Sequence, residues 1–339
     1  MKINLPVGRA SAPKSMRGFS LVELMVAIAI GLILVAGLAT LFANSSQTGS
    51  ELDKSMRQIE NGRYAAELLG EDISVAGYYG ELSATGITAV TAPACATAVT
   101  ALGWDNTAST GPVAVTGLSA TEAAALSCLP NYKTGTGALV LRHVDTTSVA
   151  PGAATNGGVY LQTSRCSTDP NATRFIVSTA SSDFTLHGID CTIINTVQRY
   201  ISRIYYVATC DECGADTIPT LKRAELKGNQ MVVSPLAEGI EEIAYDYAFD
   251  TSGDGSPDSY LAGLSGVAGA ADNDWGNVVG VRVHFLSRTT EPSAGFTDGG
   301  TTYDLGLSGT RGPFTDSYKR RVYTVTTRIN NIAGPREIP

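Results

Sequence analysis

The chain has 339 residues, 43% hydrophobic and 17% charged. That length can bury a core, and so weakly charged a composition excludes disorder driven by excess charge. With 24 Lys plus Arg against 32 Asp plus Glu the net charge is −8, and an acidic chain has no general attraction for phosphate backbones, so bulk nucleic-acid binding is not expected.

The charge is segregated along the chain. Residues 1–18 hold Lys2, Arg9, Lys14 and Arg17 and no acid; without them 20 basic residues face 32 acidic ones, a net −12. In 19–43 the only charged side chain is Glu23, and 24–43 supplies about the 20 apolar residues that cross a bilayer. A basic leader stays cytoplasmic while a long following domain is translocated, so a single-pass topology is expected with residue 44 onwards outside the cytoplasm. Glu23 needs a partner, because a carboxylate inside a spanning helix costs about 2.5–3.5 kcal/mol on insertion scales.

The stretch GFSLVELMVAIAIGLILVAGLA at 18–39 resembles the class III leader of type IV prepilins and pseudopilins: Gly, then Phe, Glu four residues on, then an unbroken apolar run. The resemblance implies that a prepilin peptidase cuts between Gly18 and Phe19, that Phe19 is N-methylated, and that 1–18 is lost. Residues 19–43 then form the transmembrane and filament-core helix. The α-amino group created at Phe19, in the same or a neighbouring subunit, is the expected partner of Glu23 in an assembly charge pair. The alternative is a Glu close enough to the helix end to stay hydrated.

No proline occurs between Phe19 and Ala92. Leu52, Met56, Ile59, Ala66, Leu69 and Ile73 recur at the spacing of one helical face. Residues 44–79 are therefore expected to continue as an amphipathic helix into the head, a rod of roughly 85 Å from residue 19 to 76 if unbroken. Gly31, Gly37, the stretch 44–50, Gly62 and Gly70 are the places where it can bend, and Gly77 is the expected terminator. RQIENGRYAAELLGEDISVAGYYGEL at 57–82 is similar to the segment that follows the first helix in PilW-type minor pilins. The likeness runs from about Met16 to Leu82 and is weaker near the C-terminus.

Residues 80–339 are expected to form a globular, periplasmic, β-rich head. The segment 83–137 is rich in Ala, Thr, Gly and Ser and reads as a loop-rich insertion with little regular structure. Candidate strands follow at 138–144, 158–162, 174–178, 200–208, 221–226, 231–234, 240–249, 278–287 and 318–329, with alternation clear at 281–285 and 323–329. Lys227-Gly-Asn-Gln230 favours a hairpin. The expected class is α+β: a type IV pilin-like fold, with a long N-terminal helix packed on an antiparallel β-sheet and long disulfide-stapled loops.

Cys95, Cys128, Cys166, Cys191, Cys210 and Cys213 lie in the exported part, where an even number reads as disulfides, with 15 pairings open for three bridges. The spacing Cys210-x-x-Cys213 also fits half a zinc site or a redox pair, but no second C-x-x-C, no His pair and no thioredoxin-like βαβ pattern accompanies it. At 250–258, Asp250, Ser252, Asp254 and Asp258 occupy positions one, three, five and nine of a D-x-D-x-D-G-like loop with Gly255 at its turn, a candidate Ca²⁺ site. Leu261 replaces the usual Glu at position twelve, so Asp272 or Asp274 would have to complete the shell. The alternative is a polar turn between strands.

His143, His187 and His284 are isolated in sequence, with His284 expected to be solvent-facing or satisfied. There is no H-E-x-x-H, G-x-S-x-G or P-loop motif, so no enzymatic activity is expected. Lys319, Arg320 and Arg321 form the one compact basic run and read as a solvated strand edge.

The resemblance implies a minor pilin that initiates and assembles the type IV pilus, at or near its tip. Its implied partners are other minor pilins and the major pilin, prepilin peptidase, the inner-membrane assembly machinery, and membrane lipid before assembly. The alternatives are a minor pseudopilin of type II secretion, and a pilus-tip adhesin or DNA-uptake binding module.

Overall fold

The structure, a computed structural model, describes residues 18–82, 87–154, 157–169, 174–264 and 272–337, the side chains of 272 and 273 excepted. Residues 1–17 of the expected leader lie outside the described residues. The chain divides into two units, Met1–Asp53 and Lys54–Pro339.

Helix α1, Leu21–Val75, runs for 55 residues without interruption. Neither Gly31, Gly37 nor the polar run 44–50 breaks it, because each glycine costs only about 1 kcal/mol and no proline removes a backbone donor. Within the first unit its apolar side chains are bare: Leu21 is 74% exposed, Ile33 72% and Phe42 77%.

In the second unit α1 turns Gln58, Gly62, Ala65, Leu69, Asp72 and Ile73 inward, a stripe at three- and four-residue spacing. The predicted face is corrected at its start, where Leu52 and Met56 are exposed. Two polar residues belong to the true stripe because the sheets offer them partners. Gln58 Nε2 donates to the carbonyls of Ser287 at 2.9 Å and Lys319 at 3.0 Å. Gly62 lies against the Tyr323 ring, which occupies the space a Cβ would need. The helix stops before Gly77, whose φ of +74° suits glycine. Asn331 Nδ2 caps it by donating to the carbonyls of Val75 (3.3 Å) and Ala76 (3.2 Å).

The segment predicted to be loop carries β1 (Thr88–Val90), β2 (Thr110–Pro112), β3 (Val115–Leu118) and α2 (Ala120–Ala124). Three- and four-residue strands are too short to show alternation, and their pairing partners are distant in sequence. The Ser119–Glu122 capping box starts α2. The next strands are β4 (Ala138–Val149), β5 (Tyr160–Thr163), β6 (Phe175–Ser178), β7 (Val197–Ala208), β8 (Thr220–Lys227) and β9 (Gln230–Glu238). After them come β10 (Ile240–Phe249), β11 (Ser259–Leu261), β12 (Val278–Arg288), β13 (Tyr303–Asp304), β14 (Thr310–Arg311), β15 (Arg320–Arg328) and helix α3 (Asn330–Arg336).

Two large antiparallel sheets result, beside a parallel β1–β2 pair and an antiparallel β13–β14 pair. The larger runs β3-β4-β7-β5-β6, with β8 also on β7 and β9 on β8. β7 serves two neighbours on one edge, since Val197 to Arg199 pair with β5 while Arg203 to Ala208 pair with β8. The smaller sheet runs β11-β10-β12-β15. The β8–β9 hairpin turns where predicted, with Lys227 opposite Gln230 and Gly228 at φ +65°. Between the sheets and α1, one apolar core unites Ala65, Leu69 and Ile73 with Leu139, Leu141, Tyr205, Val283 and Phe285.

Candidate functional site

At the start of α1 the residues 18–20 are not helical, and Ser20 caps the helix. Glu23 Oε2 accepts the Ser20 amide at 2.9 Å while Ser20 Oγ accepts the Glu23 amide at 3.1 Å, a reciprocal capping box. The Ser-x-x-Glu spacing at 20–23 carried this signal in the sequence. Phe19, 88% exposed, sits one residue before the cap, so a new α-amino group there would lie at the helix end that holds Glu23.

In the head, each histidine that looks isolated in sequence meets an aspartate. His187 Nδ1 is 2.9 Å from Asp169 Oδ1, and His284 Nε2 is 3.0 Å from Asp246 Oδ2 with Thr324 Oγ1 on its other nitrogen at 3.1 Å. His284 is thus buried and satisfied. His143 Nε2 lies 3.3 Å from Asp72 Oδ1. Hydrogen bonds from the His187 amide, Ser164 and the His187 ring hold the Asp169 carboxyl down at about 2.

Asp72 is the buried charge of the helix–sheet seam. Its carboxylate receives Arg203 Nη1 and the Tyr205 hydroxyl, the latter at 2.7 Å, beside His143. Burial works against its ionised form, but the adjoining His143 ring and the Arg203 charge outweigh it and hold the carboxyl below the usual range. Arg203 also binds Glu225, on which Arg199 and Arg223 converge. The apolar periodicity of α1 hid this residue, because its partners lie more than 70 positions away on β4 and β7.

The basic run at 319–321 is corrected at Arg320, while Arg321 is exposed as expected. Arg320 has a fully buried side chain, held by Glu241 at 2.6 Å, Asp316 at 2.6 Å and Asp298 at 3.3 Å, with its guanidinium 3.7 Å above the Phe314 ring. A planar fork fits several carboxylates at once, so this edge-strand cation is drawn inward.

The 250–258 loop brings Asp250, Ser252, Asp254 and Asp258 onto one turn. Asp250 Oδ1 accepts the amides of Gly253 (2.6 Å) and Asp254 (3.2 Å) and the Ser252 hydroxyl (3.2 Å); Oδ2 accepts the Gly255 amide at 3.0 Å. Arg336 Nη1 reaches the same Oδ2 at 2.9 Å. Asp258 Oδ2 binds the Thr251 and Ser252 amides. The Asp272 side chain lies outside the described residues. Among the described residues no group of three or more His, Cys, Asp or Glu side chains is placed to hold a metal ion.

The six cysteines pair as Cys95–Cys128, Cys166–Cys191 and Cys210–Cys213, with Cα separations of 5.9, 4.9 and 5.0 Å, inside the range a bridge spans.

Residues 13–39 match the family model of the prokaryotic N-terminal methylation motif, and residues 204–331 match that of Type IV Pilus-assembly protein W, PilW. The chain is a type IV pilin-like protein. The PilW match covers the C-terminal part of β7, from residue 204, and all of β8 to β15, where the sequence likeness was the weaker one, and does not include the 57–82 segment. The described part of this pilin-like chain has one helix long and apolar enough to cross a membrane. No curated protein matches the sequence. Among solved structures, a type IV-like pilin from Thermus thermophilus is similar at 10% identity over 81% of this chain and 98% of its own, with a TM-score of 0.36; so distant a likeness supports no further statement. The pilin-like chain takes part in type IV pilus assembly in the general sense of these matches.

Proposed function

We propose that the chain is a minor pilin that helps initiate type IV pilus assembly and is incorporated at or near the tip with other minor pilins. The observation that carries this reading is the bare apolar stretch of α1, headed by Phe19 and the Ser20–Glu23 capping box. Apolar side chains so exposed on an isolated subunit need a cover, first lipid and then the helices of neighbouring subunits. In this reading 1–18 is removed, 19–43 is the membrane and filament-core helix, 44–79 continues into the head, and 80–339 is the head. The head stands in the periplasm from the inner membrane until the subunit enters the pilus. Glu23 then offsets the charge of the Phe19 amino group and sets the axial stagger between subunits. A head of this size would crowd a repetitive shaft, which favours a terminal or sparse position.

Deletion of the gene, with Glu23→Ala alongside it, tests the proposal by counting surface pili and scoring twitching. Both strains should lose most pili. Normal piliation and twitching in the deletion strain would overturn the role, and a secretion defect in its place would move the chain to a type II system.

A further inference from the structure

The Cys210–Cys213 bridge differs from the other two in accessibility and in electrostatic surroundings. It spans a sequence separation of 3, against 33 and 25. Cys213 is exposed, whereas its partner Cys210 and the other four cysteines are buried or half-buried. Lys222 on β8, only 7% exposed, donates from Nζ to the Asp211 carbonyl at 2.8 Å and to Cys213 Sγ at 3.6 Å. No carboxylate forms an ion pair with Lys222 among the described residues. The Lys222 charge reaches the Asp216 carboxyl and helps to lower it, but its direct contacts are a carbonyl and a weakly accepting disulfide sulfur, neither of which neutralises a buried ammonium. A thiolate at Cys213 would place an anion in direct contact with it.

We propose that Cys210–Cys213 is a thiol–disulfide exchange site, with Cys213 Sγ as the atom external thiols attack and Lys222 as the cation that stabilises the Cys213 thiolate. The co-reactant is a dithiol. One of its sulfurs, as thiolate, bonds to Cys213 Sγ while the Cys210–Cys213 bond breaks, and the electron pair leaves on Cys210, which takes up a proton. The second sulfur of the dithiol, deprotonated to solvent, then attacks the first. This closes the reagent's own disulfide and releases Cys213 as a thiolate beside Lys222. Two electrons pass from the dithiol to the cysteines, one proton ends on Cys210 and one in solvent.

The negative groups nearby are Asp211 and Glu212 within the loop, and Asp216, which accepts the amides of Asp211 (2.9 Å), Glu212 (2.6 Å) and Ile218 (2.9 Å). Water screens Glu212, which is exposed. Three amides already share the Asp216 charge. Lys222 is in direct contact with the sulfur and dominates.

Differential alkylation and mass spectrometry of the full chain in detergent, across a dithiothreitol series, tests this. Cys210–Cys213 should open at roughly tenfold lower reductant than the other two bridges, and Lys222→Met should remove most of that difference. Opening of all three together, or no effect of Lys222→Met, overturns the proposal. If Lys222→Met does not fold, Cys210→Ser decides. Alkylation of its free Cys213 should rise with a midpoint about one pH unit below the ordinary thiol value of about 8.5; a midpoint at or above that value overturns the proposal.

Discussion

Replacing Asp72 by Ala should be among the most damaging single changes on α1. The side chain is 6% exposed and joins the helix to β4 and β7 through His143, Arg203 and Tyr205. Removing one member of a buried pair costs about 3–5 kcal/mol, because the other charge stays behind without its partner. Arg203 keeps Glu225 at 3.0 Å, so the low end applies, about 3 kcal/mol. At roughly 2–4 °C per kcal/mol for a large domain, the melting midpoint should fall by about 6–12 °C. The sign with pH follows from the lowered carboxyl. Its stabilisation is complete above the ordinary value of 3.8 and is lost as pH falls through the lower folded value. The gap between wild type and Asp72→Asn should therefore hold at neutral pH and narrow only in acid below 3.8. Near-UV circular dichroism during heating, on full chains in detergent, measures both effects. Glu71→Ala, one residue away on the exposed side, is the control and should leave the midpoint unchanged. Equal effects of the two alanine variants, or a gap that does not depend on pH, would refute the assignment of Asp72 as a buried ionic link.

Arg320→Ala should cost about 3 kcal/mol, since Asp298 and Glu241 are left buried with less cation around them; Arg320→Lys should recover only part because it lacks the fork. Urea unfolding reads both. Loss of Cys95–Cys128, closing a separation of 33, should cost about 3–4 kcal/mol, while loss of Cys210–Cys213 should cost no more than about 2 kcal/mol, because the entropy removed from the unfolded chain grows with loop length. Paired Cys→Ser variants compared by thermal unfolding check the order. At 250–258, Arg336 already supplies a positive charge to Asp250 Oδ2, so calcium must displace a guanidinium. Calorimetry should show no binding to the wild-type chain at low millimolar calcium, and a chelator-reversible rise in melting temperature would decide for the calcium site.

Much of the architecture was legible because it depends on local pattern. Long strands such as β10 and β12 were placed within a residue or two, since apolar runs bounded by turn residues carry their own signal. The β8–β9 turn was legible for the same reason, Gly-Asn between two strands. The strands that were missed, β1, β2, β3, β11, β13 and β14, have two to four residues each, too few to show alternation, and the short helices α2 and α3 were missed as well. The single predicted sheet became two because nothing local to residues 238–240 shows that the chain leaves one sheet for the other at Gly239.

The sequence by itself determined the features that one segment carries alone: a basic N-terminal stretch, an apolar helix with a single Glu23, and a class of helix on antiparallel strands. Covalent order and periodicity suffice for these. Only the tertiary structure decided which of 15 disulfide pairings forms, that Asp72 and Gln58 belong to the buried face of α1, that Arg320 is drawn into three carboxylates, and that Lys222 rests on Cys213. Each of these depends on the energy of a polar or charged group out of water, which is set by what the fold brings within about 3–4 Å of it. Neighbours in sequence do not report that distance.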